Sequence, residues 1–231
     1  MRNKLILDII RNGFSFTTLI NFLVRLFAIV CILPVHEFAH AFTAHLLGDD
    51  TAYNQGRMTI LPTAHIDPLG AVMMLLVGFG YAKPVPVNAR NFENPKKGMA
   101  VTALAGPLSN IIMCFVYLIF MNITLAAYYR LGLQVIYYLY YFFYIAASCN
   151  VSLAVFNLLP VPPLDGSRLL NIFLPPKYYF ELMRYEKYII LGIFLLLMVG
   201  ILDIPLEFIG GIIFKGLNFI ASLPFKFTGL I

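Results

Sequence analysis

Long apolar stretches dominate the chain, and its polar residues gather between them. Residues 21–47 form the first clear stretch, stopped by Gly48 and the acidic pair Asp49 and Asp50. At about 1.5 Å per residue a helix of that length runs roughly 40 Å, enough to span a bilayer with some tilt. Arg25 near its start is placed to snorkel to an interface. Pro34 is placed to kink the helix about one turn before the run "HEFAH". Residues 98–127, 133–158, 186–202 and 205–223 read as further spans, the last two divided by Asp203 and Pro205.

The intervening segments follow a different pattern. Residues 48–66 are polar and rich in turn formers. Residues 68–81 are apolar but short, which suits a re-entrant or half-spanning element. Residues 82–97, "AKPVPVNARNFENPKK", alternate Pro with Val and cannot form a regular helix, so an extended strip at the membrane surface is expected. Residues 157–168, "NLLPVPPLDGSR", break a strong apolar run with three prolines and a glycine. The expected fold is an all-α polytopic membrane protein. It has about six transmembrane helices, with a re-entrant or extended membrane-associated segment between the HEFAH helix and the next full span. Residues 1–20 form an N-terminal amphipathic or first membrane segment, without a signal-peptide pattern. Residues 176–231 supply a C-terminal pair of transmembrane helices.

Charge orients the spans. The loop at 82–97 carries Lys83, Arg90, Lys96 and Lys97, and the loop at 160–187 carries Arg168, Lys177, Arg184 and Lys187. Two spans separate these loops, so they share a side, and positive-inside bias makes that side cytoplasmic. Two topologies satisfy this. Either residues 1–20 lie on the surface and 68–81 cross, or residues 1–20 cross and 68–81 are re-entrant. Both put the N-terminus inside, and they put the 48–66 loop on opposite sides. The second brings the HEFAH end of its helix towards the cytoplasmic face.

Composition agrees with the pattern. Of 231 residues, 61% are hydrophobic and 12% charged, against about 45–50% and about 25% in soluble domains. The net charge of +5 therefore reflects basic loops beside an anionic leaflet, not a nucleic-acid partner. Cys31, Cys114 and Cys149 lie in apolar runs and read as free thiols packed as small hydrophobes.

His36-Glu37-Phe38-Ala39-His40 matches H-E-x-x-H. On a helix, residues i and i+4 share a face, so two imidazoles can meet one zinc ion, and the adjacent glutamate can act as general base. Ionisable groups at membrane depth are expensive, which argues for function. A catalytic zinc takes three protein ligands. His45 lies about 180° round the helix from His36 and points away. Asp49 and Asp50 look solvated beyond the helix end. His65 and Asp67 in "AHIDPLG" are candidates. Asp165 is the stronger one, because irregular backbone at membrane depth occurs where protein covers it or it lines a wet cavity.

These residues carry a resemblance. HEFAH, "GRMTILPTAHIDPLG", "AKPVPVN", "ALAGPLSN" and "NLLPVPPLDGSRLL" together resemble the site-2 protease family of intramembrane zinc metalloproteases, peptidase family M50, over about residues 20–175. The likeness is narrowest to its short prokaryotic branch without PDZ or CBS domains. It implies that His36, His40 and Asp165 bind Zn2+, that Glu37 activates water, and that Asn157 stabilises the oxyanion or holds the substrate strand. Residues 21–175 would then be the catalytic core. The small residues Ala105-Gly106-Pro107 would let their helix approach the catalytic one. Leu61 stands where the family pattern has asparagine, at a turn contact.

The implied activity is hydrolysis of a peptide bond in or near the transmembrane segment of a membrane-spanning protein substrate, by an enzyme in the lipid bilayer of a prokaryotic plasma membrane with both termini cytoplasmic. The Pro/Val strip and the 48–66 loop offer an edge for an unwound substrate, or simply cover the site. A zinc-binding membrane protein that does not cut, such as a transporter, would need polar residues on several spans. The strong spans offer few outside the constellation: Asn110, Asn122, Asn150 and Asp203, mostly towards their ends. A histidine-rich membrane oxygenase or desaturase would need many more than four histidines.

Overall fold

The computed structural model describes residues 16–77 and 80–227. Residues 1–15, which carry most of the expected first segment, lie outside the described residues. The helices in chain order are α1 (Phe16–Phe27), α2 (Leu33–Leu46), α3 (Thr51–Asn54), α4 (Pro62–His65), α5 (Pro68–Val77), α6 (Pro95–Leu131), α7 (Gln134–Asn157), α8 (Asp165–Phe173), α9 (Pro176–Arg184), α10 (Glu186–Val199) and α11 (Asp203–Phe227). Among the described residues there is no strand, as an all-α reading requires.

Among the described residues, four helical stretches are long and apolar enough to cross a membrane: Phe22–Leu46, α6, α7 and α11. The expectation of about six also counted residues 1–20 and 186–202. In the second of these, α10 is 14 residues long.

The first crossing stretch is continuous, but one turn of it, Ala28–Ile32, is a π-helix. Pro34 follows at the start of α2. Its ring clashes with the carbonyl four residues back and it donates no hydrogen bond. The wider turn takes up that misfit just before the histidine motif.

α5 has ten residues, about 15 Å at 1.5 Å per residue, which suits a half-spanning element. Arg25 Nη1 donates to Leu75 O at 2.8 Å. A cation at the last turn of α5 suits the negative end of that helix.

α6 begins at a capped end, where Asn94 Oδ1 accepts from Lys97 N at 3.1 Å and Pro95 stands first in the helix. It ends at Gly132, whose φ of 64° is left-handed, a backbone that favours glycine. The short turn makes α6 and α7 antiparallel neighbours. Their core holds Cys114, Leu118, Met121, Ala147, Val151 and Val155, closed by Ala221 of α11. Asn122 ties α11 to this core by donating to Asn218 Oδ1 at 3.1 Å.

Candidate metal centre

α2 and α6 run against each other with the histidines on one side of the contact and a stripe of three residues, Thr102, Gly106 and Asn110, on the other. The stripe repeats every four residues, which keeps it on one helix face. His40 Nδ1 meets Thr102 O at 2.7 Å and His36 Nδ1 meets the Asn110 amide at 3.1 Å. Between them, a Cβ added at Gly106 would lie 2.4 Å from His40 Nε2 and 2.6 Å from His36 Cε1. Only a glycine lets α6 come this close.

Asp165 is the first residue of α8. The chain reaches it through residues 158–164, which fold back on themselves. A Cβ at Gly166 would lie 2.3 Å from Leu158 O, so that turn also needs a glycine. The result is a triangle of donor atoms from two distant segments. His36 Nε2 and His40 Nε2 are 3.1 Å apart, and Asp165 Oδ2 is 3.2 Å from each. The three form the one group of His, Cys, Asp and Glu that could hold a metal ion among the described residues.

The triangle fits zinc. Zinc–ligand bonds of about 2.0–2.1 Å in a tetrahedron put neighbouring ligand atoms about 3.3 Å apart. The donor set, two imidazoles and a carboxylate, is that of a catalytic site with one position open. His40 Nδ1–H donates to Thr102 O, which leaves its Nε2 lone pair for a metal. Asp165 Oδ2 faces the Nε2 atoms of both rings at 3.2 Å, which is where a shared ion would need its third ligand atom.

Glu37 is turned towards the Pro/Val strip. Its Oε2 accepts from Val85 N at 3.0 Å. The strip forms neither helix nor strand over residues 80–88 and is fixed along its length. Arg57 Nη2 donates to Lys83 O at 2.7 Å and Pro84 O at 3.2 Å, and Lys83 N donates to His65 O at 2.8 Å. The Val85 side chain is buried against Ala41 of α2 and Ala52 of α3. At the far end Asn88 N donates to Asp49 Oδ2 at 2.7 Å.

Asp49 is therefore not solvated, contrary to expectation. It is fully buried and also accepts from Thr51 and from Asn91 Nδ2. Burial works to raise its pKa, but these hydrogen bonds outweigh burial and hold it below the usual carboxylate range. Asp50 is exposed as expected and pairs with His45 Nδ1 at 2.5 Å. His45 stacks on Tyr53, away from the triangle.

The other ligand candidates have different partners. His65 Nε2 donates to Thr59 O at 2.7 Å, and Asp67 Oδ1 accepts from Gly70 N at 2.9 Å at the start of α5. Asn157 is the last residue of α7 and half-buried. Among the described residues its side chain makes no hydrogen bond. The cysteines are free thiols.

Sequence reasoning missed Thr102, Val85 and the contact of Asn110 with His36. Thr102 and Val85 act through backbone atoms, which leave no residue-type signal. Asn110 did leave one, as a lone asparagine in an apolar span four residues after Gly106.

The family model for peptidase family M50 matches residues 24–200. A Bacillus subtilis protein provisionally named zinc metalloprotease YwhC is 39% identical over 166 residues, 69% of this chain and 73% of its own. A Methanocaldococcus jannaschii protein provisionally named zinc metalloprotease MJ0611 is 27% identical over 67% of this chain and 72% of its own. A Mycolicibacterium smegmatis protein provisionally named zinc metalloprotease Rip2 is 28% identical over 63% of this chain and 55% of its own. No solved structure matches.

Proposed function

The chain belongs to peptidase family M50, and on that premise we propose that it is an integral membrane zinc metalloendopeptidase that cuts a membrane-spanning protein in or near its transmembrane segment. The observation that carries this reading is the convergence of His36, His40 and Asp165 on one point, with both histidines inside a stretch long and apolar enough to cross a membrane. A hydrolytic site at that depth suits a peptide bond found there too.

His36, His40 and Asp165 hold the zinc. When bound, zinc supplies Lewis acidity, polarising a carbonyl and lowering the pKa of water towards about 7. Glu37 is the general base. Val85 N–H engages one of its oxygens, and its carboxylate would take the proton of the attacking water and pass it to the leaving amine. Asn157, with its amide uncommitted, donates to the oxyanion. The strip 80–88 and the loop 48–66 wall the site beside Glu37. A helical substrate unwinds before its amide can enter, because helical hydrogen bonds hide it.

Residues 21–175 are the catalytic core and residues 176–231 a C-terminal helical part. The basic loops at 82–97 and 160–187, and both termini, face the cytoplasm of a prokaryotic plasma membrane, with α5 as a re-entrant element.

The test is reconstitution into liposomes with a panel of membrane-spanning peptides. Cleavage within the spanning segment, abolished by a chelator and restored by zinc, is the expected result. Zinc-dependent cleavage of soluble peptides alone would sink the intramembrane assignment. Zinc movement across the liposome with no cleavage would replace it with a carrier.

A further inference from the structure

Asn110 is fully buried and sits against a histidine at the wrong polarity for metal binding. Its Nδ2 faces His36 Nδ1 at 3.1 Å, and its Oδ1 is buried with no hydrogen-bond partner. With Nδ2 donating, Nδ1 accepts, and the single proton of a neutral His36 ring lies on Nε2. That Nε2–H then donates to Asp165 Oδ2 at 3.2 Å. A ring in this tautomer has no Nε2 lone pair for a metal.

We propose that Asn110 is a positioning residue for the metal, an amide rotor that follows the tautomer of His36. Turned by 180° about its last bond, the same amide presents Oδ1, which accepts from Nδ1–H. The ring proton then lies on Nδ1 and Nε2 is free for the ion. In the orientation described here, Oδ1 has no partner. What occupies the Nε2 side decides between them.

This explains why an amide, not a carboxylate, stands here. A carbonyl holds His40, because Thr102 O accepts from its Nδ1 and locks that ring in the metal-binding tautomer. His36 is held by a group that can both donate and accept. The ring therefore stays in place whether or not the metal is bound, and the site is assembled before the ion arrives. Partners of this kind on a ligating histidine typically contribute about 10–100-fold to metal affinity.

The inference rests on His36 being a ligand, and the experiment separates the two. Zinc affinity of the purified full chain is measured by chelator competition, with the unfolding temperature of each metal-free variant as the check on folding. His36→Ala reports on the ligand reading; unchanged zinc affinity there overturns it, and the Asn110 proposal with it. Asn110→Leu, of similar size without donor or acceptor, is expected to weaken zinc binding about 10–100-fold. Asn110→Asp keeps the acceptor and is expected to bind zinc at least as tightly as the parent. Asn122→Leu, on the same helix about 18 Å further along, removes a buried amide bonded to Leu118 O and Asn218, and is expected to leave zinc affinity unchanged. Wild-type affinity in Asn110→Leu, or equal losses in Asn110→Leu and Asn122→Leu, overturns the proposal. If Asn110→Leu does not fold, Asn110→Asp decides alone: more than a tenfold loss of affinity in a folded protein overturns it.

Discussion

Val85 N–H donates to Glu37 Oε2 at 3.0 Å across 48 residues of sequence. The proposed general base is thereby held by a backbone N–H of the strip. A positioned base contributes about 10²–10⁴-fold to a hydrolysis, and losing one of its anchors forfeits part of that. Val85→Pro removes the donor and is expected to lower kcat about 10–100-fold while zinc content stays at the parent level. Val85→Ala keeps the N–H and loses only side-chain packing, so its kcat falls less. Equal kcat in the two variants would mean that the hydrogen bond does not position Glu37.

Gly106 sets the distance between α2 and α6. A methyl group there would overlap His40 Nε2 at 2.4 Å, and both neighbours are backbone-anchored helices that cannot move apart cheaply. Gly106→Ala is expected to abolish stoichiometric zinc binding, read by metal analysis of the purified protein. Gly192→Ala in α10 is the comparison. Nothing lies within 4 Å of a Cβ there, so zinc should be retained. Zinc retained in Gly106→Ala would show that the helices stand further apart than described.

The pH dependence of stability follows from Asp49. Its folded pKa lies below its unfolded one, so the unfolded state takes up the proton first as pH falls. Its contribution is present in full above the unfolded pKa of about 4 and is lost as pH drops through the folded pKa. The unfolding temperature should therefore fall below about pH 4. Asp49→Asn keeps the shape and loses the charge. It should flatten that limb and lower stability by about 1–3 kcal/mol at neutral pH, the range for a buried hydrogen-bonded group left mispaired. An unchanged limb in Asp49→Asn would assign the acid sensitivity to another carboxylate.

These sites differ in how far sequence could reveal them. His36, Glu37 and His40 lie within five residues on one helix, where spacing alone fixes which side chains share a face. Asp165 was visible as the one acid in a stretch whose prolines stop a spanning helix. The short α5 was legible from its length, and the absence of helix in the strip from its alternating prolines. Asp49 was misread because a loop acid beside Gly48 resembles any solvated turn residue. Its burial comes from Asn88 and Asn91, about forty residues away, and no local pattern encodes that pairing. His65 has the residue type of a ligand, but its ring is committed to Thr59 O. Arg25 had the look of an interfacial anchor, and its contact with the end of α5 comes from Leu75, fifty residues away.

The central claim, that Glu37 drives hydrolysis of membrane-spanning proteins at a zinc held by His36, His40 and Asp165, is tested most directly in cells. Membrane proteomes are compared between a strain carrying the parent chain and one carrying Glu37→Gln, a variant that keeps the three proposed ligands. The expected result is accumulation of one or more uncut membrane-anchored proteins in the Glu37→Gln strain, from a protein that still binds zinc. Identical membrane proteomes, with the parent protein folded and zinc-loaded under conditions where its substrate is made, would contradict the account.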